Sequence, residues 1–114
     1  MLSHKRDHYC GLLTREMAGQ TVHLSGWVQR TRDLGGVVFV WLRDREGLVQ
    51  LVFDGTDCSP ELLALAQSLR SEYVLTVSGE VRLRDEAAIN RDLKTGEVEI
   101  VVRDAVLLNK SETP

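Results

Sequence analysis

The sequence is poor in cysteine and proline, has no excess of positive charge and contains no long hydrophobic run. Its 114 residues include two cysteines, Cys10 and Cys58, which belong to no paired metal or redox motif. We therefore expect two reduced thiols rather than a disulfide framework. No apolar run approaches the roughly 18–20 residues that span a bilayer, and no apolar segment follows the charged start. These absences argue against a secreted or membrane-spanning protein and predict a cytoplasmic one.

The charge balance weighs against a protein that binds nucleic acid through bulk charge. The chain carries 14 Lys and Arg against 17 Asp and Glu, a formal net charge of −3. Proteins that bind in this way usually have a strong basic excess. A nucleic-acid site in this chain must therefore be a local patch. The hydrophobic fraction of 43% and the charged fraction of 27% are typical of a globular domain that buries its own core.

The sequence contains no constellation of catalytic residues or metal ligands. It has no P-loop and no G-x-G-x-x-G motif. His4, His8 and His23 lack the spacing of metal ligands, and we expect them on the solvated surface. Asp44 and Glu46 flank a turn next to arginines, so ion pairing is expected there rather than acid–base catalysis. We predict that these residues alone form no active site and bind no cofactor.

Period-two alternation of apolar residues dominates the chain and predicts β-strands. A short helical turn comes first, with Thr14 as its N-cap and Gly19 at its end. Ser59 and Pro60 predict the start of a helix after the third strand, since serine caps helices and proline suits their first position. The predicted strands cover residues 21–32, 37–44, 48–54, 73–83 and about 96–109, with a polar loop over 85–95.

Five strands with a helix between the third and the fourth is the order of the OB-fold, a small Greek-key barrel. An open five-stranded sheet is the competing architecture. Gly26 and Gly79 favour the barrel, because they lie in the middle of long strands that must bend sharply to close it. We predict an all-β fold with little helix, with residues 1–109 forming the OB-fold domain and 110–114 beginning a linker.

Strand parity places aromatic and polar side chains together on the outer face. Val38, Val40 and Leu42 form an inner face, which leaves Phe39 and Trp41 pointing outward. The same argument turns outward Gln50 on the third strand and Thr76, Ser78, Glu80, Arg82 and Arg84 on the fourth. Aromatic side chains beside arginines and an amide suit single-stranded nucleic acid, and OB-folds commonly bind oligonucleotides on this face.

The same pattern also fits aromatic side chains that pack beneath a tail, the first helical turn or another domain. Packing is the favoured interpretation for Trp27 and Trp41, whereas Phe39 fits both. Arginines on strands are more often solvated or paired than bound to a ligand. Two other functions therefore stand beside specific oligonucleotide binding: a sequence-nonspecific single-strand binder and a protein-interaction barrel.

One long stretch of the sequence has a specific family resemblance. Residues 26–50 contain the runs R-D-L-G-G and L-R-D-R-E-G, with Phe39 between them and Gln50 after them. They closely resemble the N-terminal anticodon-binding domain of bacterial-type aspartyl-tRNA synthetases. Residues 8–11 resemble the opening of this family, and residues 82–86 and 89–99 resemble its fourth loop and fifth strand. The resemblance covers essentially the whole chain.

The resemblance implies a module that reads the aspartate anticodon G-U-C. In the family, the aromatic residue matching Phe39 stacks on the middle base, the glutamine matching Gln50 hydrogen-bonds its edge, and the arginine matching Arg32 assists. Residues matching Arg84 and Asn90 approach the other bases, and the acidic residue matching Glu99 helps to read the first. The candidate nucleic-acid-binding residues are Arg30, Arg32, Phe39, Gln50, Arg82, Arg84, Asn90 and Glu99.

The resemblance also implies a longer enzyme, an ATP-dependent aspartate–tRNA ligase whose catalytic domain follows residue 114. That domain would bind ATP and magnesium, and it would carry most of the homodimer contacts. We therefore expect the present segment to be a monomer whose partner is tRNA.

The sequence departs from the family at several positions. The residue matching Trp41 is commonly acidic, the one matching Thr31 is commonly arginine, and many members have Lys or Asn where this chain has Ala87 and Ala88. These positions bear on the outer anticodon bases and on the choice between aspartate and asparagine tRNA. Alternation puts Arg32 on the inner face, unless a bulge at Gly26 or the end of the strand frees it.

Overall fold

The computed structural model describes residues 6–93 and 95–109, and its strands follow the predicted order closely. Residues 1–5, the predicted linker at 110–114 and His4 lie outside the described residues. Short 3-10 turns occur at Cys10–Leu12, Arg15–Met17 and Glu86–Ala88. The main elements are β1 Thr21–Asp33, β2 Val37–Asp44, β3 Gly47–Asp54, α1 Pro60–Ser68, β4 Val74–Leu83 and β5 Val98–Asn109.

The five strands form a closed barrel in the order β1-β2-β3-β5-β4. β1 is long enough to serve both neighbours: residues 21–27 pair with β4, and residues 27–33 pair with β2. All neighbouring strands are antiparallel except β3 and β5, which pair in parallel over three residues. This topology confirms the OB-fold prediction and excludes the open sheet.

The interior of the barrel is filled by the inward residues that alternation predicts. Val22, Leu24 and Val28 of β1 are completely buried, and so are Val40 and Leu42 of β2. Helix α1 packs against β2 and β3, and it contributes Leu62 and Ala66 to the core, as does Leu69 directly after the helix. Its predicted cap is confirmed, since the Ser59 hydroxyl accepts a hydrogen bond from the backbone N–H of Leu62 at 3.1 Å.

The two mid-strand glycines allow backbones to approach closely. A Cβ atom on Gly26 would lie 2.3 Å from the carbonyl oxygen of Arg43, and one on Gly79 would lie 2.4 Å from that of Val101. The register against β5 shifts beside Gly79, but the extra residue is Arg103 of β5, because Ser78 pairs with Asp104 and Gly79 with Val102. Gly26, in contrast, lies in regular pairing with β4.

The bulge in β1 lies at Gln29 rather than at Gly26. The register against β2 shifts between Val28 and Arg30, so Gln29 has no partner of its own. This extra residue reverses the parity of the rest of the strand. Arg30 and Arg32 therefore move to the outer face, and the conflict that simple alternation raised for Arg32 is resolved.

His8 and His23 lie at the surface, as expected, but both are half-buried and hydrogen-bonded there. Both rings contact the carboxylate of Asp7, and the His23 Nδ1 atom lies 2.8 Å from its Oδ2. The backbone N–H of His23 also donates to Asp7, at 2.7 Å. These contacts fasten the first described residues to β1.

Ion pairing at the turn after β2 holds for only one of its two acids. Glu46 lies 3.4 Å from Arg45. Asp44 is buried instead and accepts hydrogen bonds from the backbone N–H groups of Cys10 and Glu46 at 2.6 and 2.9 Å. Asp44 therefore ties the first 3-10 turn to the barrel. Both cysteines are free thiols, as expected, and burial raises the pKa of Cys10.

Candidate nucleic-acid interface

A row of cross-strand neighbours crosses the outer face of the barrel. Arg30 lies opposite Trp41, Trp41 opposite Gln50, Gln50 opposite Glu99, and Glu99 opposite Arg82. Side chains of directly opposed residues point to the same face of a sheet. The barrel therefore brings together five residues that are spread over more than 50 positions of sequence, from Arg30 to Glu99.

An open cleft of about 680 Å³ lies over the part of this row formed by Gln50, Glu99 and Arg82. All the predicted site residues except Arg30 and Asn90 line it. The turn between β1 and β2 forms one wall, and the start of the loop after β4 forms another. The lining residues are Arg32, Leu34, Val37, Phe39, Gln50, Val52, Asp54, Arg82, Leu83, Arg84, Asp85, Ala88 and Glu99.

Glu99 is the centre of a polar network on the floor of the cleft. One oxygen, Oε2, accepts two hydrogen bonds from the Arg82 guanidinium, at 3.0 and 2.6 Å. The other, Oε1, accepts a hydrogen bond from the Gln50 amide nitrogen at 3.3 Å. The Gln50 side chain is nearly buried, so this bond fixes which end of its carboxamide faces Glu99.

Arg84 is the least satisfied member of the network. Its Nε atom lies 4.0 Å from Glu99 Oε1, within ion-pair distance but beyond a hydrogen bond. Its Nε and Nη1 atoms are both buried and have no hydrogen-bond partner among the described residues. Its guanidinium carbon lies 6.0 Å from the centre of the Trp41 ring. Buried donors without acceptors are costly, so the free protein holds this cation in an unfavourable position.

Phe39 and Arg32 form a second cross-strand pair, at the mouth of the cleft. Phe39 is half-buried, and its cross-strand neighbour on β3, Val52, is almost completely buried. Arg32 is exposed and makes no hydrogen bond to any residue that the structure describes. A flat aromatic ring beside a free guanidinium can hold a nucleobase and an anionic group at the same time.

The two remaining candidates lie outside the cleft. Arg30 is exposed on the outer face beside Trp41. Asn90 lies in the loop after β4, where its side-chain oxygen accepts a hydrogen bond from the backbone N–H of Asp92 at 3.1 Å. The backbone of Asn90 also bonds to Gly96. In this structure Asn90 shapes the loop, and contact with a nucleotide stays a prediction.

The strand pattern missed the apolar part of the cleft. Alternation places Leu83 inward, but its side chain is 43% exposed because β4 ends there and parity no longer applies. Leu34 at the opposite wall is 54% exposed. The strand pattern predicts neither exposed side chain, because Leu34 directly follows β1 and Leu83 is the last residue of β4. Within residues 6–93 and 95–109 there is no group of side chains that could hold a metal ion and no helix long and apolar enough to cross a membrane.

Comparisons with known proteins agree with this geometry. The family model tRNA_anti-codon, described as an OB-fold nucleic acid binding domain, matches residues 22–108. The aspartate–tRNA ligase of Macrococcus caseolyticus is 55% identical over 109 residues, which cover 96% of this chain and 18% of that protein. The chain thus spans less than a fifth of the length of this curated relative.

Solved structures with the same fold include both a domain of a larger enzyme and a separate small protein. Asparaginyl-tRNA synthetase from Pyrococcus horikoshii, complexed with asparaginyl-adenylate, matches with a TM-score of 0.77 and 27% identity, over 91% of this chain and 22% of that one. An OBody bound to hen egg-white lysozyme matches with a TM-score of 0.84 and 26% identity, over 97% of this chain and 100% of that one. With its closed barrel and its family match over residues 22–108, the chain belongs to the tRNA anticodon family of OB-fold nucleic acid binding domains.

Proposed function

We propose that this domain binds the anticodon loop of aspartate tRNA and serves as the tRNA-reading module of an aspartate–tRNA ligase. The observation that carries the proposal is the cleft that Phe39, Gln50 and Glu99 line together, with the Gln50 amide hydrogen-bonded to the Glu99 carboxylate. The relatives that cover 96% of the chain at 55% identity are aspartate–tRNA ligases, which supports the choice of amino acid.

The middle base of the anticodon, uracil, would stack on Phe39 and be read by Gln50. A carboxamide presents one donor and one acceptor side by side, which matches the O4 and N3–H groups of uracil. Cytosine offers the reverse order, and a carboxamide free to flip would accept both bases. Because Glu99 accepts from the Gln50 amide nitrogen, it holds the carboxamide in one orientation. This constraint would favour uracil.

The other anticodon bases and the backbone would be bound by the charged residues around this pair. Guanine, the first base, presents two donors on its Watson–Crick edge, which suit the Glu99 carboxylate. Arg32, Arg82 and Arg84 would supply donors to the remaining base and to phosphates. Arg30 and Asn90 would make further contacts outside the cleft.

The rest of the proposal concerns the longer enzyme. Its catalytic domain, outside this chain, would bind ATP and magnesium and join aspartate to the tRNA. The anticodon-binding domain itself would need neither ATP nor magnesium. We propose that the isolated domain is monomeric, that the complete enzyme is a homodimer, and that it works in the cytoplasm.

The experiment that tests the proposal is a fluorescence-anisotropy titration with labelled anticodon stem-loops. One carries G-U-C, and the other has cytosine in the middle; both are measured at two salt concentrations. The proposal expects tighter binding of G-U-C at both. Equal binding that collapses with salt would identify a nonspecific backbone binder. Absence of binding to either RNA, with self-association of the domain, would support a protein-interaction barrel instead.

A further inference from the structure

The outer face of β1 and β2 carries more aromatic and basic residues than the cleft uses. Three successive cross-strand pairs on this face each combine one arginine with one aromatic residue. Only the first pair borders the cleft, and the others continue along the strands away from it. The pairs are Arg32 with Phe39, Arg30 with Trp41, and Trp27 with Arg43.

The regular spacing makes these pairs a continuous track. Phe39, Trp41 and Arg43 are successive outward residues of β2, so the track is about 13 Å long, at roughly 3.3 Å per residue. On β1 the bulge at Gln29 keeps Trp27 and Arg30 on the same face, although a spacing of three positions would otherwise put them on opposite faces. The bulge therefore aligns the track as well as freeing Arg32.

The track is accessible and its arginines are not neutralised. The side chain of Trp27 is 39% exposed, which is contrary to the packing expected from the sequence. Arg30 is exposed, and Arg43 is half-exposed and held in place by a hydrogen bond from its Nε atom to the Gln29 side chain. No carboxylate among the described residues pairs with either arginine. These arginines and the exposed indole form a local basic patch on a protein whose formal net charge is −3.

A second basic group lies where the track ends. Trp27 borders a depression of about 290 Å³ that is also lined by Arg6 and Arg45. The guanidinium carbons of both arginines lie 4.6 Å from the centre of the Tyr9 ring, which holds them in place. The carboxylate of Asp44 at the same depression is buried and occupied by backbone N–H groups. Arg45 also lies 3.4 Å from Glu46, so Arg6 is the arginine of this group that has no carboxylate partner among the described residues.

We propose that the track from Arg30 and Trp41 to Trp27 and Arg43 is a second RNA contact, which binds the backbone of the nucleotides flanking the anticodon. This inference rests on the proposed function, because the track continues from the Arg32–Phe39 pair, which borders the anticodon cleft. Arg30 and Arg43 bind phosphates, which carry no sequence information, while the indole of Trp27 packs on a ribose. The charge complementarity favours RNA over a protein segment as the occupant.

The test measures the salt dependence of RNA binding. The parent chain, the Arg30→Gln/Arg43→Gln double variant and a matched control, Arg103→Gln, are titrated with a G-U-C stem-loop over a salt series. Arg103 lies on β5, and its guanidinium donates a hydrogen bond to Glu80 at 3.5 Å. The double variant should lower the slope of log K against log salt by about 1.5, since each lost phosphate contact removes roughly 0.7–0.9. The control should keep the parent slope.

Two further variants test separately the charge of the arginines and the indole of Trp27. The Arg30→Lys/Arg43→Lys variant keeps both charges and should retain most of the slope. Trp27→Leu should weaken binding of the complete stem-loop several-fold, but leave binding of the G-U-C trinucleotide, which lacks the flanking nucleotides, unchanged. The preference for G-U-C over the middle-base variant should persist in every case, because backbone contacts bind all sequences alike.

The outcomes distinguish this inference from the proposed function. If the Arg30→Gln/Arg43→Gln variant keeps the salt slope of the parent chain and its preference for G-U-C, the second RNA contact is overturned and anticodon reading stands. That result would assign the exposed Trp27 to contact with another protein segment. Absence of any G-U-C preference in the parent chain overturns the proposed function itself, whatever the slopes show.

Discussion

The Gln50 amide nitrogen donates a hydrogen bond to Glu99 Oε1, at 3.3 Å, across the parallel contact between β3 and β5. This contact is only three residue pairs long, and it brings a residue of the third strand beside one that follows 49 positions later. The same carboxylate is fixed on its other side by Arg82. The orientation of Gln50 therefore depends on the closure of the barrel.

The first prediction concerns discrimination at the middle base of the anticodon. Gln50→Ala should lower the preference for uracil over cytosine more than it lowers overall affinity, because base contacts give specificity while backbone contacts give much of the affinity. Glu99→Gln should also relax this preference, since an amide at position 99 can accept or donate and lets Gln50 flip. Anisotropy titrations with both stem-loops measure the ratio of the two dissociation constants. An unchanged ratio in both variants would contradict the assignment.

The second prediction concerns stacking on Phe39. Phe39→Ala should weaken binding of the G-U-C stem-loop by about 1–3 kcal/mol, the usual loss of one aromatic platform. Phe39→Leu is the matched control, because it keeps an apolar side chain beside the cross-strand neighbour Val52 but removes the flat ring. If stacking is the cause, leucine should restore stability but not affinity. Equal affinity of the leucine variant and the parent would show that only apolar volume matters.

Regular strands explain which of these features could be predicted. Phe39 and Gln50 lie in β2 and β3, which pair without irregularity, so parity alone placed both side chains outward. Arg32 follows a bulge at Gln29, and no residue type in the sequence predicts that bulge. Leu83 lies at the end of β4, where strand parity no longer predicts the direction of the side chain. The contact between Gln50 and Glu99 depends on the pairing of strands distant in sequence. Local periodicity has no information about such contacts.

The third prediction concerns the balance between stability and binding at Arg84. Arg84→Met removes two buried donors that have no acceptor, at the expense of a long ion pair with Glu99. Replacing buried charge with an apolar side chain is often neutral or stabilising. The free energy of unfolding in urea should therefore stay the same or rise by up to about 1 kcal/mol, while RNA affinity falls. A loss of stability above that size would identify Arg84 as a structural residue.

The fourth prediction concerns the pH dependence of the N-terminal attachment. Burial raises the pKa of Asp7, but hydrogen bonds from the His23 backbone and from both histidine rings outweigh it and hold the pKa below its ordinary value of 3.8. A lowered pKa in the folded state stabilises the fold above the unfolded value, and this stability is lost as the pH falls through the folded value. Asp7→Asn should therefore be less stable than the parent at neutral pH, with a difference that shrinks at acidic pH.

The measurement for Asp7 is urea unfolding of both proteins over a pH series below neutrality. The effect should be small, because the Asp7 side chain is 46% exposed and solvent screens its interactions. Asp57→Asn is the control, since Asp57 lies away from both histidines after β3. A stability difference between Asp7→Asn and the parent that does not change with pH would show that hydrogen-bond geometry, not carboxylate charge, holds the segment.

The fifth prediction concerns the crossing of strands at Gly26. Gly26→Ala would place a methyl group 2.3 Å from the carbonyl oxygen of Arg43, so β1 and β2 must separate where the Trp27–Arg43 pair begins. Forcing extra volume into such a contact should cost about 3 kcal/mol of unfolding free energy. Gly35→Ala is the control: its φ of +64° is strained for alanine, but the added Cβ meets no atom within 4 Å, so about 1 kcal/mol is expected. Because the φ of Gly26 is not positive, a loss no larger than that of the control would show that β1 and β2 can separate at Gly26 with little cost.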